Sequence, residues 1–115
     1  LPHAWLYDNA TGAALSTLDL CGKGRFTLFT GIGGEAWADA AARVGAELDL
    51  AITVRVIGPR RTYVDHGGDW ARLRETGDSG CVLTRPDQHV AWRAACLTAD
   101  PAADLRRVLR TILAR

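Results

Sequence analysis

The residues of this chain that could do chemistry are a glycine turn, three cysteines, three histidines and a scatter of hydroxyl and carboxylate side chains. The turn is the most suggestive. Gly31-x-Gly33-x-x-Ala36 follows an aromatic and β-branched run and opens a stretch of helical spacing. That is the order in which a G-x-G-x-x-G/A fingerprint holds a dinucleotide pyrophosphate at a helix N-terminus. Arg60 and Arg61, just past the next strand-like run, could receive a 2′-phosphate. Two features oppose this reading: no acidic residue ends that second run to hold a ribose, and the chain goes on into an antiparallel hairpin rather than further parallel strands. The alternative is that Gly31, Gly33 and Gly34 simply turn the chain and let the helix pack close.

The other groups carry less. Cys21, Cys81 and Cys96 are odd in number and contain no C-x-x-C spacing, which fits a reducing, cytosolic compartment. Each is expected to be a small buried hydrophobe. His3, His66 and His89 have no i, i+4 partner and no cysteine pair nearby, so no metal site is indicated. Ser16 and Ser79 lack a nucleophile-elbow context. Nothing in the spacing pairs any two of Glu35, Asp39, Asp65 and Asp69 in a cleft. From the residues alone, no catalytic, cofactor-binding or metal-binding set is assigned.

The elements that would position these groups begin with Gly80 to Arg93. Two apolar runs flank a Pro86-Asp87 turn and read as a β-hairpin, with Val90 and Trp92 on one face and His89, Ala91 and Arg93 on the other. Upstream, His3–Tyr7 reads as a short strand or lead-in, ended by a turn signal at 8–12, and Leu15–Leu20 is a brief apolar patch. Arg25–Thr30 reads as a buried strand. Trp37, Ala40, Ala41 and Val44 recur at helical spacing, with Gly45 as the expected stop. Ile52, Val54 and Val56 alternate with Thr53 and Arg55, giving a strand with one buried face. Asp69 is the expected cap of a short helix carrying Trp70 and Leu73 and closed by Gly77. Finally, Asp100 and Pro101 open a helix whose stripe is Leu105, Val108, Leu109, Ile112 and Leu113, with Arg106, Arg107, Arg110 and Arg115 on its solvated side. The four tryptophans are expected to supply core and interface mass.

A β-α-β-α-β-β-α order with a right-handed crossover between its first strands is the thioredoxin-like arrangement. The expected fold is α/β, a mixed four-stranded core sheet with an N-terminal extension. It carries no CxxC: where a thiol pair would stand at the first core helix, the chain reads Gly31-Ile32-Gly33-Gly34-Glu35. Nor does a proline precede the third core strand, which follows Gly77-Asp78-Ser79-Gly80. Thiol chemistry of that kind is excluded.

The chain has 115 residues, 48% hydrophobic and 23% charged, with a net charge of +1. That length suits one domain, and the near-neutral balance argues against nucleic acid or an anionic membrane as partner. No apolar run approaches the ~20 residues of a membrane span. The chain begins Leu1-Pro2-His3, with neither an initiating Met nor a signal segment, so a fragment of a longer protein is expected.

A set of residues in fixed order then carries a resemblance. Pro2-His3-Ala4-Trp5-Leu6, Ser16-Thr17-Leu18-Asp19-Leu20, Gly24-Arg25-Phe26-Thr27-Leu28, Thr30-Gly31, Trp37, Asp65 and Trp70 lead to Arg85-Pro86-Asp87-Gln88-His89-Val90-Ala91-Trp92-Arg93, the most specific piece. Together they resemble the C-terminal domain of the FAD-dependent aromatic-ring hydroxylases, nearest the phenol and 2,4-dichlorophenol 6-monooxygenase branch, over nearly the whole chain. The resemblance implies a parent enzyme that uses FAD, a reduced nicotinamide, NAD(P)H, and O₂ to hydroxylate a phenolic ring in the cytoplasm. The FAD and substrate domains would precede this one as its partners, with room for homodimer contacts. It implies that residues 1–115 are a single, non-catalytic assembly domain holding no cofactor of its own. A free-standing, non-redox binding module of the same fold is the other reading. Two structural expectations follow. An apolar patch should be left exposed where a neighbour packs, with Ala4-Trp5-Leu6 as candidate. Gln88 departs from the glycine usual after Pro-Asp and should sit near φ +60°, so that Gln88→Gly would stabilise by roughly 0.5–1 kcal/mol.

Overall fold

Strand β3 (Phe26–Thr30) is buried at all five positions, and the computed structural model is built outward from it. The structure describes residues 4–22, 24–31, 33–58, 63–65, 70 and 79–113. In chain order the elements are β1 (Trp5–Asp8), β2 (Ala14–Ser16), a 3-10 turn (Thr17–Leu20), β3, α1 (Ala36–Leu48), β4 (Ile52–Val56), β5 (Tyr63–Val64), β6 (Cys81–Thr84), β7 (Val90–Ala94) and α2 (Pro101–Leu113). Of the expected short helix only Trp70 is described; Asp69, Leu73 and Gly77 lie outside the described residues.

Four strands form a mixed sheet in the order β4-β3-β6-β7. β3 and β4 run parallel, joined through α1, while β3–β6 and β6–β7 are antiparallel. This is the expected thioredoxin-like core. Both helices lie on one face of it. Leu28, Leu83 and Cys81 point up into Trp37, Ala41 and Val44 of α1 and Leu105, Val108 and Leu109 of α2. The guanidinium of Arg106 grips Glu47 by two hydrogen bonds of 2.6 and 2.9 Å, tying the helices together at the surface.

The opposite face is closed by something the pattern did not announce, a second sheet in the order β2-β1-β5. The N-terminal lead-in is thus a hairpin. Asp8 makes its turn, accepting from the Ala10 and Thr11 amides on Oδ1 at 2.8 and 3.3 Å. Leu6, Leu20, Phe29, Val82 and Trp70 form the core between the sheets. Leu6 and Ala4 are therefore buried, contrary to the expected exposed patch; Trp5 alone is open, at 52%.

Four further details differ from the sequence reading. Gly45 does not end α1, which continues to Leu48 and stops on Asp49 in the left-handed region. Gly45 is instead a crossing point, because a Cβ there would stand 2.8 Å from the Leu50 carbonyl oxygen. β4 is only half-buried along its length, since it is the edge of its sheet. Val90 and Trp92 do not share a face. Thr84 pairs with Val90 but Leu83 pairs with Trp92, so β7 has one extra residue. This β-bulge turns Val90 toward the inter-sheet core and Trp92 toward the helices. On α2, Ile112 is 37% exposed and falls off the stripe, while Leu113 packs half-buried against the core.

Candidate functional site

The end of β3 delivers Thr30 to the start of the glycine turn, and Ser79-Gly80 enters β6 beside it, Thr30 pairing with Cys81. Close packing governs this corner. Gly33 takes φ +85°, and a Cβ on Gly34 would strike the Thr30 hydroxyl and stand 3.1 Å from the Ser79 carbonyl oxygen. A Cβ on Gly80 would run into the carbonyl of Ala94, with the Ala95 carbonyl oxygen at 2.7 Å. The Thr30 hydroxyl donates to the Gly80 carbonyl at 2.8 Å. The Trp37 indole N–H donates to the Ser79 carbonyl at 2.9 Å.

An anion held here would need free amides at the helix start. The turn uses three of them itself. Gly34 N–H donates to Gly31, Trp37 N–H to Gly34 and Ala38 N–H to Glu35, each at 3.0 Å. Within this turn Gly33 is called for by its positive φ, and Gly34, outside the Gly31-x-Gly33-x-x-Ala36 pattern, by its close approach to Thr30 and Ser79. Arg60 and Arg61 lie outside the described residues.

The remaining candidates do not converge. Cys21 and Cys81 are buried as expected, but Cys96 is exposed, because it falls after β7 where the chain leaves the sheet. Burial pushes the Cys81 thiol up to about 12, against the pull of a backbone hydrogen bond with Ala94. Burial also raises Cys21, opposed by a hydrogen bond with Thr84. Neither thiol next to these cores is a thiolate at neutral pH. Ser79 Oγ accepts from the Leu97 amide at 3.1 Å, and Ser16 Oγ accepts from the Leu18 amide at 3.1 Å. Both serines are therefore bracing groups. The His89 side chain is 78% exposed and its Nδ1 lies 3.3 Å from Asp87 Oδ2; His3, His66 and Asp69 lie outside the described residues. Glu35 and Asp39 face solvent at opposite ends of the first turn of α1. Among the described residues no three metal-ligating side chains gather. No helix among them is long and apolar enough to cross a membrane.

Sequence reasoning missed one concave feature, a pocket of about 270 Å³ lined by Asp19–Gly22, Arg25, Thr27, Thr53 and Arg55. The signal was present: in the runs 25–28 and 52–56, alternate residues put Arg25, Thr27, Thr53 and Arg55 on one face.

The aromatic-ring hydroxylase C-terminal family matches residues 1–115. The chain is 57% identical over its whole length to 19% of the 2,4-dichlorophenol 6-monooxygenase of Cupriavidus pinatubonensis. Over 95% of its length it is 48% identical to the phenol 2-monooxygenase of a Pseudomonas species, covering 18% of that enzyme. It superposes with a TM-score of 0.87 and 46% identity on the flavin-dependent monooxygenase PieE in complex with FAD and substrate, covering 99% of this chain and 19% of that one. For a ternary complex of aklavinone-11 hydroxylase with FAD and aklavinone, the TM-score is 0.89 at 37% identity, covering 99% of this chain and 20% of that one. The chain thus spans about a fifth of the length of the curated relatives it matches.

Proposed function

Because the chain belongs to the aromatic-ring hydroxylase C-terminal family, we propose that residues 1–115 are one thioredoxin-like assembly domain of a longer FAD- and NAD(P)H-dependent phenol monooxygenase. The observation that carries the assembly role is the closed glycine turn. At the corner where this fold elsewhere presents a reactive pair, the chain offers backbone sealed by backbone. The domain contributes no catalytic, cofactor-binding or metal-binding residue, and acts by packing against preceding FAD and substrate domains. The cofactors belong to those domains. The 57% identity to a 2,4-dichlorophenol 6-monooxygenase supports a chlorinated or simple phenol as substrate, and the protein works in the cytoplasm.

Calorimetric titration of FAD and NADPH into the 115-residue chain tests the sealed turn, and no saturable heat is expected. In the longer protein, Ser79→Ala and Glu35→Gln should leave kcat/KM for phenols within about twofold, because neither side chain touches the reacting centre. A micromolar stoichiometric cofactor signal, or a large loss of kcat in a variant that still assembles, would overturn the reading.

A further inference from the structure

We infer that the pocket between the Asp19–Gly22 segment and the edge of the core sheet binds one small oxyanion, a phosphate or carboxylate group. The inference is independent of the assembly role. β3 and β4 lie in parallel register with Thr27 beside Thr53 and Phe29 beside Arg55. The two-residue period therefore places Arg25 and Thr27 on one strand, and Thr53 and Arg55 on the next, along the same face. All four line the pocket of about 270 Å³, room for one such group rather than for a nucleotide.

The hydrogen-bonding capacity of this lining is only partly spent. Arg25 is exposed and makes no ion pair or side-chain hydrogen bond among the described residues. Arg55 is anchored by Nε to the Leu20 carbonyl at 3.4 Å and by Nη1 to the Tyr63 hydroxyl at 2.9 Å. That leaves the other donors of its five-donor fork available, with the guanidinium already oriented. Thr27 is 1% exposed, and it lines the pocket beside Thr53, its partner in the parallel register. A threonine hydroxyl carries one donor and can offer it to an oxyanion held in the pocket. Asp19 also lines the cavity, but its Oδ2 already accepts the Ser16 amide at 2.9 Å. Two guanidinium groups and two hydroxyls against one engaged carboxylate favour an anion.

The test is a titration of the isotope-labelled chain with inorganic phosphate and, separately, with succinate, at ionic strength held constant with chloride. Backbone amide shifts of Thr27, Thr53 and Arg55 should saturate in the millimolar range for at least one of the two. Arg25→Gln, at an exposed position, should weaken binding about tenfold. Thr27→Val, nearly the same in shape, should weaken it about fivefold. Shifts that chloride reproduces, that fail to saturate, or that both variants leave unchanged would overturn the site. A signal confined to the glycine turn would overturn it as well, and would count against the sealed turn instead.

Discussion

The glycine corner and the hairpin tip lie at opposite ends of β6, and each holds an unusual backbone by different means. At the corner, Gly34 and Gly80 are required because neighbouring backbone and a buried hydroxyl occupy the space where a side chain would begin. At the tip, Gln88 takes φ 72°, as the turn type demands, but space is available and the side chain uses it. Its Nε2 donates to the Leu18 carbonyl at 2.8 Å and reaches the Cys21 carbonyl at 3.5 Å, crossing Gly22, where a Cβ would stand 2.8 Å from Gln88 Cγ. A torsional cost can be offset by what the residue then touches. A steric exclusion by backbone cannot.

The largest expected effect tests the exclusion. Gly80→Ala should destabilise the chain by about 3 kcal/mol, because the carbonyls of Ala94 and Ala95 can move only with the end of β7. A lower urea midpoint with an unchanged slope would show it. A near-neutral Gly80→Ala would mean that the corner is not sterically closed.

Next comes the tip. The sequence led to an expectation that Gln88→Gly stabilises, since the φ value alone argues for glycine. The hydrogen bond to Leu18 adds an opposing term of about 0.5–1.5 kcal/mol, so Gln88→Gly should now fall within about 0.5 kcal/mol of the parent. Gln88→Ala keeps the strain and loses the bond, and should cost about 1–2 kcal/mol. The two variants' urea midpoints separate the terms; equal midpoints would show that the side chain contributes nothing.

The smallest effect concerns Asp87 at the same tip. The His89 amide, which donates to Oδ1 at 3.1 Å, holds its carboxyl below the usual range, helped by the His89 ring and the Arg85 guanidinium. A carboxyl lowered in the folded state adds stability above its unfolded pKa and loses it as pH falls through the folded one. The hairpin tip should therefore weaken only below the ordinary carboxylate range, and slightly, because the group is exposed. Following the Asp87 carboxyl by NMR should give a depressed midpoint, and Asp87→Asn should flatten the acid limb of the stability curve.

The strands and helices that bury a continuous face were legible, because period and composition agree there: β3, β6 and α2 stand where the pattern puts them, and α1 does so except that it runs on past Gly45 to Leu48. What was hidden depends on partners distant in sequence. β5 is two residues long and exists by pairing with β1 and bridging to Ile57. The bulge in β7 is set by its register against β6, which alternation alone cannot reveal. Gly45 looked like a stop because its real neighbour, the Leu50 carbonyl, returns only after α1 has ended. At the candidate site, the absence of thiols from the glycine turn was plain from the residues. The pocket formed by Arg25 and Arg55 needed the parallel register of β3 and β4 to bring it together.

The reach of Gln88 to Leu18 spans 70 residues, and that of Thr30 to Gly80 spans 50. Contacts closed over such loops are entropically late, since nearer pairings must first draw the ends together. The hairpin clasp, which ties β6 and β7 to the N-terminal layer, is therefore expected to close after the central sheet has paired. Interactions of that kind leave the rate of folding almost alone and slow the rate of opening. The tip of the hairpin is thus a lock on the finished fold, keeping the N-terminal layer on the sheet long after it has arrived.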